Sequence, residues 1–386
     1  MERIKVKKLA RQIRGVSYKP EDLHDVLDDS AIILLRANNI DDGKINFDDV
    51  IYVDKSRVSE DQYLLPGDIL ICASSGSKQL VGKAASVAFD MPCTFGAFCK
   101  VVRPNIGFER YLGIYFQSGT YRKEISAVAI GANINNIRNE HIDALELPLY
   151  SYDENKVIVM RIELLQSIID KRKCELEKLD ELIRARFVEM FGDPIHNSKG
   201  LPEATLPELG EFGRGVSKHR PRNAPELLGG DYPLIQTGEI AAADLYIKAY
   251  ENTYSELGFK QSKMWDAGTL CITIAANIAK TAILTFDACF PDSVVGFNAN
   301  ESTNNIFIHY WFSFFQAILE EQAPESAQKN INLKILSELK VIVPEKTEQD
   351  AFADFVAQTD KSKVAVQAAL DKAQLLFDSL MQQYFG

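Results

Sequence analysis

Long apolar runs are missing from this chain: no stretch approaches the ~18 consecutive apolar residues of a membrane-crossing helix. The basic opening MERIKVKKLARQIR is followed by neither an apolar stretch nor a small-residue cleavage site, so no secretory signal is expected and the cytoplasm is the expected compartment. Cysteine is sparse and unpatterned. Cys72, Cys93, Cys99, Cys174, Cys271 and Cys289 form no C-x-x-C pair, and no histidine stands at ligand spacing beside them. Reduced, mostly buried thiols are therefore expected, with no structural zinc, no other metal and no cofactor. Positive charge is also in deficit, since 43 Lys and Arg against 54 Asp and Glu leave a formal net charge of −11. Any contact with a polyanion must come from local basic faces.

Catalytic motifs are absent as well. No Asn/Asp-Pro-Pro-Tyr/Phe tetrapeptide holds an amino group for methyl transfer, and no strand-linked G-x-G-x-x-G cradles a dinucleotide. The segment Gly76 to Ala84 resembles a phosphate loop, yet it has one residue too many between its glycines and an alanine where a metal-binding hydroxyl is needed. Pro344-Glu345-Lys346 reads as a solvated loop. The chain is expected to be non-enzymatic. With 386 residues and 46% hydrophobic content it has room for two or three packed domains.

What the sequence contains is itself twice over. RGVS stands at Arg14 to Ser17 and again at Arg214 to Ser217, and further matches follow in the same order. Leu35 and Ile40 correspond to Ile235 and Ile240, and PGDIL from Pro66 to AGTLC from Ala267. YLGIYFQ from Tyr111 pairs with YWFSFFQ from Tyr310, and NINNIRNEHIDALELP from Asn133 with NINLKILSELKVIVP from Asn330. The loop SSGSKQLVGKAA has only a loose partner in AANIAKTAILT.

Each half ends in a long amphipathic segment. Ile162, Leu165, Ile169, Arg172, Leu176, Leu179, Ile183, Arg186 and Met190 alternate three and four apart, the seam of a coiled coil. The second half answers with Phe352, Phe355, Thr359, Ser362, Val366, Ala369, Ala373, Leu376 and Leu380. Rods of about 35 residues are roughly 50 Å long and cannot leave such a stripe in water, so antiparallel packing of one on the other is expected. Gly192-Asp193-Pro194 stops the first helix, and the polar linker after it marks a boundary. AIILL, DILICAS, TLCITIA and KTAILTF read as strands, LARQI and YWFSFFQAIL as helices. The expected class is α+β: two similar mixed α/β domains at 1–153 and 193–346, related by pseudo-two-fold symmetry, with long antiparallel coiled-coil helices at 154–192 and 347–386.

LDELIRARFVEMFGDP, closing the first helix, resembles the central region of the specificity subunits of type I restriction-modification systems. SAQKNINLKILSELKVIVP and GANINNIRNEHIDALELP resemble the segment that closes a target-recognition domain in that family. The resemblance covers the chain in its order of domain, helix, domain, helix. It implies a non-catalytic reader of double-stranded DNA with one target-recognition domain for each half of a bipartite, asymmetric site. It also implies two methyltransferase subunits as partners, optionally two endonuclease/translocase subunits, and no membrane. The complex served would be an adenine-specific methyltransferase and ATP-dependent endonuclease. A second reading stays open: a coiled-coil protein-interaction scaffold with DNA-binding-like domains, which the acidic total charge favours.

Base reading needs paired donors and acceptors, and phosphate contacts need cations, hydroxyls or backbone amides. Polar loops that recur in both halves are the candidates for contact with DNA. In the first half these are Arg14, Ser17, Tyr18, Lys19, Arg36, Asn38, Ser74, Ser75, Ser77, Lys78 and Lys83. In the second they are Arg214, Ser217, Lys218, His219, Arg220, Gln236, Thr237, Asn277, Lys280 and Thr281. Arg36 and Gln236 are the foremost base readers, because a guanidinium suits guanine and a carboxamide suits adenine. The competing role for serines, asparagines and glutamines after a strand is to cap or turn the backbone.

Overall fold

The computed structural model describes residues 2–77, 79–128, 135–219, 221–275, 278–322 and 333–386. Residues Met1–Lys173 with Ala368–Gly386 form one compact unit, and Cys174–Gln367 form another. The β-branched runs become strands as their composition requires: Ala31–Leu35, Ile69–Cys72, Leu270–Thr273 and Thr281–Leu284. YWFSFFQAIL lies within the helix Asn305–Gln322. LARQI is not a helix; it contributes to the strand Ala10–Arg14, which pairs antiparallel with Cys99–Pro104. A helix of that length is nearly all termini, with few internal hydrogen bonds, whereas a neighbouring strand supplies partners along its length.

In the first unit a four-stranded antiparallel sheet runs in the order Ala84–Ser86, Ile69–Cys72, Cys99–Pro104, Ala10–Arg14. A second sheet runs Cys93–Phe95, Ala31–Leu35, Ile51–Asp54, Leu23–His24, and only its first pairing is parallel. The second unit repeats the plan. Gly210–Arg214, Val294–Ala299, Leu270–Thr273 and Thr281–Leu284 lie side by side antiparallel, with Tyr246–Ile247 added in parallel at the edge. Its other sheet joins Ala288–Cys289 in parallel to Leu228–Leu234, matching the parallel pair of the first unit. The loosely matched loops also acquire a register: Gly82 and Ala279 both adopt left-handed backbone, φ +81° and +58°, each just before a lysine and the next strand. Alanine tolerates that conformation poorly, so the turn is imposed by the hairpin around it.

Two helices of 40 residues each, α1 (Tyr152–Phe191) and α2 (Lys346–Phe385), follow the two sheet regions in sequence. They pack antiparallel. In the first unit Tyr150 donates to the Tyr384 carbonyl (3.1 Å) and Arg161 to the Tyr384 hydroxyl (2.9 Å). In the second, Lys363 meets Asp180 at 2.6 Å, and the rings of Phe187 and Phe352 lie 5.3 Å apart. Each terminus is sealed into a core: Phe385 against Tyr111 and Tyr115, and Phe191 against Phe307 and Phe352. Gly192, at φ +77°, then turns the chain out of α1, its N–H bonded to the Val188 carbonyl at 2.8 Å.

Of the expected seam positions along α1, Ile162, Leu165, Ile169 and Ile183 are buried, while Leu176, Leu179 and Met190 are half-buried. Along α2, Phe352 and Val366 are buried and Phe355 and Leu380 half-buried, but Leu376 is exposed. The inward positions instead run Phe352, Val356, Thr359, Lys363, Val366, Leu370, Ala373 and Phe377. Alternate members of the expected series therefore sit one residue off. Spacings of three-four and four-three fit the same heptad, and only the neighbouring helix chooses between them.

Ion pairs join the long helices to the sheet regions, two on α1 in the first unit and one on α2 in the second, where the same lysine also pairs with α1. In the first unit Lys44 reaches Asp170 at 2.8 Å and Lys173 reaches Asp42 at 3.5 Å. In the second, Lys363, at the place of Lys173, pairs with both Asp244 and Asp180. Tyr246 takes the place of Lys44, opposite Asp360. Burial alone would raise the Asp170 carboxyl, but hydrogen bonds from Lys44 and Gln166 outweigh it and hold the group below its ordinary range. Asp360 lacks that lysine; burial first, with Asp244 and Asp180 adding repulsion against Lys363, pushes its carboxyl up. No helix among the described residues is long and apolar enough to cross a membrane.

Candidate nucleic-acid interface

The repeated RGVS has a steric origin. Gly15 lies against the backbone of Phe95 and Gly96, and Gly215 against that of Phe290 and Pro291; a Cβ at either glycine would overlap those carbonyl oxygens. The contacted segments are one turn present in both units: Phe95 to Cys99 in the first, Phe290 to Val294 in the second. Each is closed by the same bond, Cys99 N–H to the Gly96 carbonyl (2.8 Å) and Val294 N–H to the Pro291 carbonyl (3.0 Å).

Three polar loops are fixed to this turn in each unit. In the first, Val16 donates to the Phe95 carbonyl (2.8 Å), Gly96 donates to the Leu35 carbonyl (3.0 Å), and the Phe98 carbonyl accepts from Ala73 and Ser74 (2.9 and 3.0 Å). That joins the Arg14–Lys19 segment, the Arg36–Asn38 corner and the Ser74–Ser77 loop. In the second unit, Gly215 donates to the Val294 carbonyl (2.9 Å) and Ile274 to the Ser293 carbonyl (3.0 Å), while Ile235 donates to the carbonyl of Cys289 (2.9 Å), the strand residue that leads into the turn. Segments chosen from the sequence for their polarity thus converge at one place per unit, through a partly different set of backbone bonds in each.

Individual side chains differ in what they offer there. Arg14 and Ser17 are exposed, Tyr18 is half-buried beside Gly96, and exposed Lys19 pairs with Glu21 at 3.3 Å. Arg36 and Asn38 both bond to the carboxylate of Asp49, at 2.9 and 2.7 Å. A base would have to displace that carboxylate to engage Arg36. Ser74 and Ser75 are half-buried in a short strand paired with Asn135–Asn136, and exposed Ser77 donates its N–H to Ser75 Oγ. Lys83 stands apart: it lies 3.7 Å from Asp41 and lines a cavity of about 390 Å³ with Phe116, Ile169 and Lys173 of α1.

In the second unit Arg214 and Gln236 are exposed and Thr237 is half-buried. Lys218 and His219 are exposed, their backbone N–H groups both bonded to Gln261 Oε1 at 2.6 and 3.0 Å, which aligns that loop. Lys280 is half-buried, its N–H bonded to Thr273 Oγ1. Two expected contacts do not reach the surface. Ser217 is buried, 6% exposed, because the tight approach at Gly215 draws the following residues inward. Thr281 is buried in its strand with Oγ1 2.9 Å from His309 Nδ1, and burial pushes that imidazole down to about 4. Lys78, Arg220 and Asn277 lie outside the described residues.

The turns themselves were not among the sequence candidates. Their signal was available in CTFGAFCKVV and ACFPDSVVGF, which share a Cys-x-Phe or Cys-Phe entry, a turn and a β-branched exit. Ser293 and Pro291, with Arg222, Gln236 and Thr237, line a cleft of about 270 Å³ in the second unit, where Arg222 is ion-paired to Asp292. Burial pushes the thiols of Cys72 and Cys93 up to about 11 and about 12. Among the described residues no three His, Cys, Asp or Glu side chains are grouped to hold a metal ion.

Fold and site together define a duplicated mixed α/β protein whose polar loops gather at one turn in each unit and whose halves are each followed by a long helix. Residues 203–373 match the family described as "Type I restriction modification DNA specificity domain". The chain is 28% identical to the EcoKI type I restriction enzyme specificity subunit of Escherichia coli K12, an alignment covering 97% of this chain and 86% of that one. It is 39% identical to the StySPI specificity subunit of Salmonella potsdam over 45% of this chain and 37% of that one. In structure it is similar over its whole length to the type I S subunit of M. genitalium, with a TM-score of 0.59 at 14% identity and 96% of that chain covered. A chain from a type I restriction-modification system described for its assembly and conformational transition gives a TM-score of 0.57 at 16% identity, with 97% of that chain covered. The chain is thus similar to type I restriction-modification specificity subunits along most of its length, with the match to their DNA specificity domain at 203–373.

Proposed function

We propose that this chain is the sequence-specific DNA-binding subunit of a type I restriction-modification complex. Each unit reads one half of a bipartite site, and because the loops differ in sequence the two halves differ. The chain docks two methyltransferase subunits and, where present, two endonuclease/translocase subunits, which carry the chemistry. Specificity subunits are the relatives it matches along most of its length. The observation that carries the reading is the doubled turn: Gly15 and Gly215 admit the same close backbone approach, which gathers three polar loops in each unit. Exposed Arg14, Lys19, Arg214 and Lys218 supply cations for phosphates, and Gln236 presents a carboxamide suited to an adenine edge.

Methylome sequencing of cells with and without the gene tests this reading. A two-part adenine-methylated motif that appears only with the gene is expected. Identical methylomes, together with a salt-insensitive failure of the reconstituted complex to hold any duplex, would favour the scaffold reading.

A further inference from the structure

The doubled turn is not filled equally in the two units. At its last position before the exit strand the first unit has Phe98 and the second Ser293. Phe98 is 71% exposed, while every other one of the 21 phenylalanines is buried or half-buried. Its backbone is held in place: its carbonyl accepts from Ala73 and Ser74, and the next residue closes the turn onto Gly96. The ring is thus a largely uncovered apolar projection on a hydrogen-bonded turn, set among polar loops. Ser293, by contrast, forms part of the wall of the cleft beside Gln236.

We propose that Phe98 is an aromatic wedge, its ring entering between adjacent bases of the half-site read by the first unit, with no counterpart in the second. The inference rests on the DNA-reading function proposed above. An uncovered ring on a rigid turn gains most where both faces are covered at once, and a base step does that. Resting on a thymine methyl covers only one. Apolar side chains that enter a duplex unstack one step, and pyrimidine–purine steps open most readily. The recognised half-site is therefore expected to contain such a step opposite Phe98.

The test uses the full chain assembled with its methyltransferase subunits, on duplexes carrying 2-aminopurine at successive positions of the methylated motif. The wild-type complex should brighten the probe at one step in one half-site. Phe98→Ala should abolish that signal and weaken cognate binding roughly ten- to a hundredfold, with the salt slope unchanged because no phosphate contact is lost. Phe98→Trp should restore both. Circular dichroism and melting of each variant check folding, which an exposed side chain should not disturb. Unchanged affinity and probe signal in Phe98→Ala would overturn the wedge while leaving DNA reading intact. Weaker binding with an unchanged probe signal would also overturn it, placing the ring on the duplex surface or on a partner subunit. A wild-type complex that binds no duplex would remove the DNA-reading function and the wedge with it.

Discussion

Asp170 and Asp360 occupy the same place in the two long helices, yet neutralising them should have opposite effects. Asp360 is partly buried, with Tyr246 where the first unit has Lys44, and its carboxyl is raised above its ordinary range, so its charged form opposes folding. Asp360→Asn removes that charge and should stabilise the second unit at pH 7. A fully buried unpaired carboxylate costs several kcal/mol, but this one is half solvated and near Lys363, which reduces the gain to about 0.5–1 kcal/mol. That corresponds to an increase in melting temperature of about 1–4 °C for a unit of this size. The sign with pH follows from linkage: a raised carboxyl binds its proton more readily in the folded state, so the benefit of the Asn is present at neutral pH. It fades as pH falls through the raised value, where Asp360 itself becomes neutral. Asp170→Asn instead loses the 2.8 Å pair with Lys44 and should cost about 0.5 kcal/mol. Trp265 and Trp311, the chain's two tryptophans, both lie in the second unit, so their fluorescence in urea reports Asp360→Asn there. Hydrogen exchange in the first unit reports Asp170→Asn. Tyr246→Lys should convert Asp360 to the behaviour of Asp170. A lower urea midpoint for Asp360→Asn at pH 7, or a gain that persists undiminished at pH 3, would refute the reasoning.

Five further outcomes are expected. Gln236→Ala should relax base choice at one position of one half-site by about 1–3 kcal/mol, whereas Lys218→Ala should weaken binding on all sequences and flatten the salt dependence, both read by competition binding. Gly215→Ala should displace the loops joined at the second turn and lower affinity even where circular dichroism is retained, because its Cβ would meet the Phe290 and Pro291 carbonyls. Phe191→Ala should cost about 3–5 kcal/mol in urea unfolding, given a ring buried against Phe187, Phe307 and Phe352. His309, held neutral by burial, supports stability above the ordinary imidazole value and loses that support as pH falls towards about 4. His309→Gln should flatten this acid limb in a pH series of melts.

Much of the architecture was legible from residue order. The recurring RGVS and the heptad spacing each specify a local feature, and local features copied in order produce the same local structure twice. LARQI misled because five residues with a helix-compatible pattern carry no information about the strand that will lie beside them. Thr281 misled for a related reason: a polar residue in a strand shows its type but not which face its neighbours cover, and here it meets His309 inside. Along α2, Phe352, Val366 and Ala373 are inward whichever way the alternate positions fall, whereas the choice between those alternate positions is invisible in the spacing.

By itself the sequence determined the duplication, the two long amphipathic helices and the polar segments able to meet a polyanion, because periodicity and side-chain chemistry belong to the chain. Only tertiary structure decided which of those polar groups share a turn, that Arg36 and Asn38 are held by Asp49, that Ser217 and Thr281 face inward, and that Phe98 faces out. The reason is physical: burial and pairing are properties of neighbours brought together across long separations, and a close approach such as that of Gly15 to Gly96 exists only once both strands are in place.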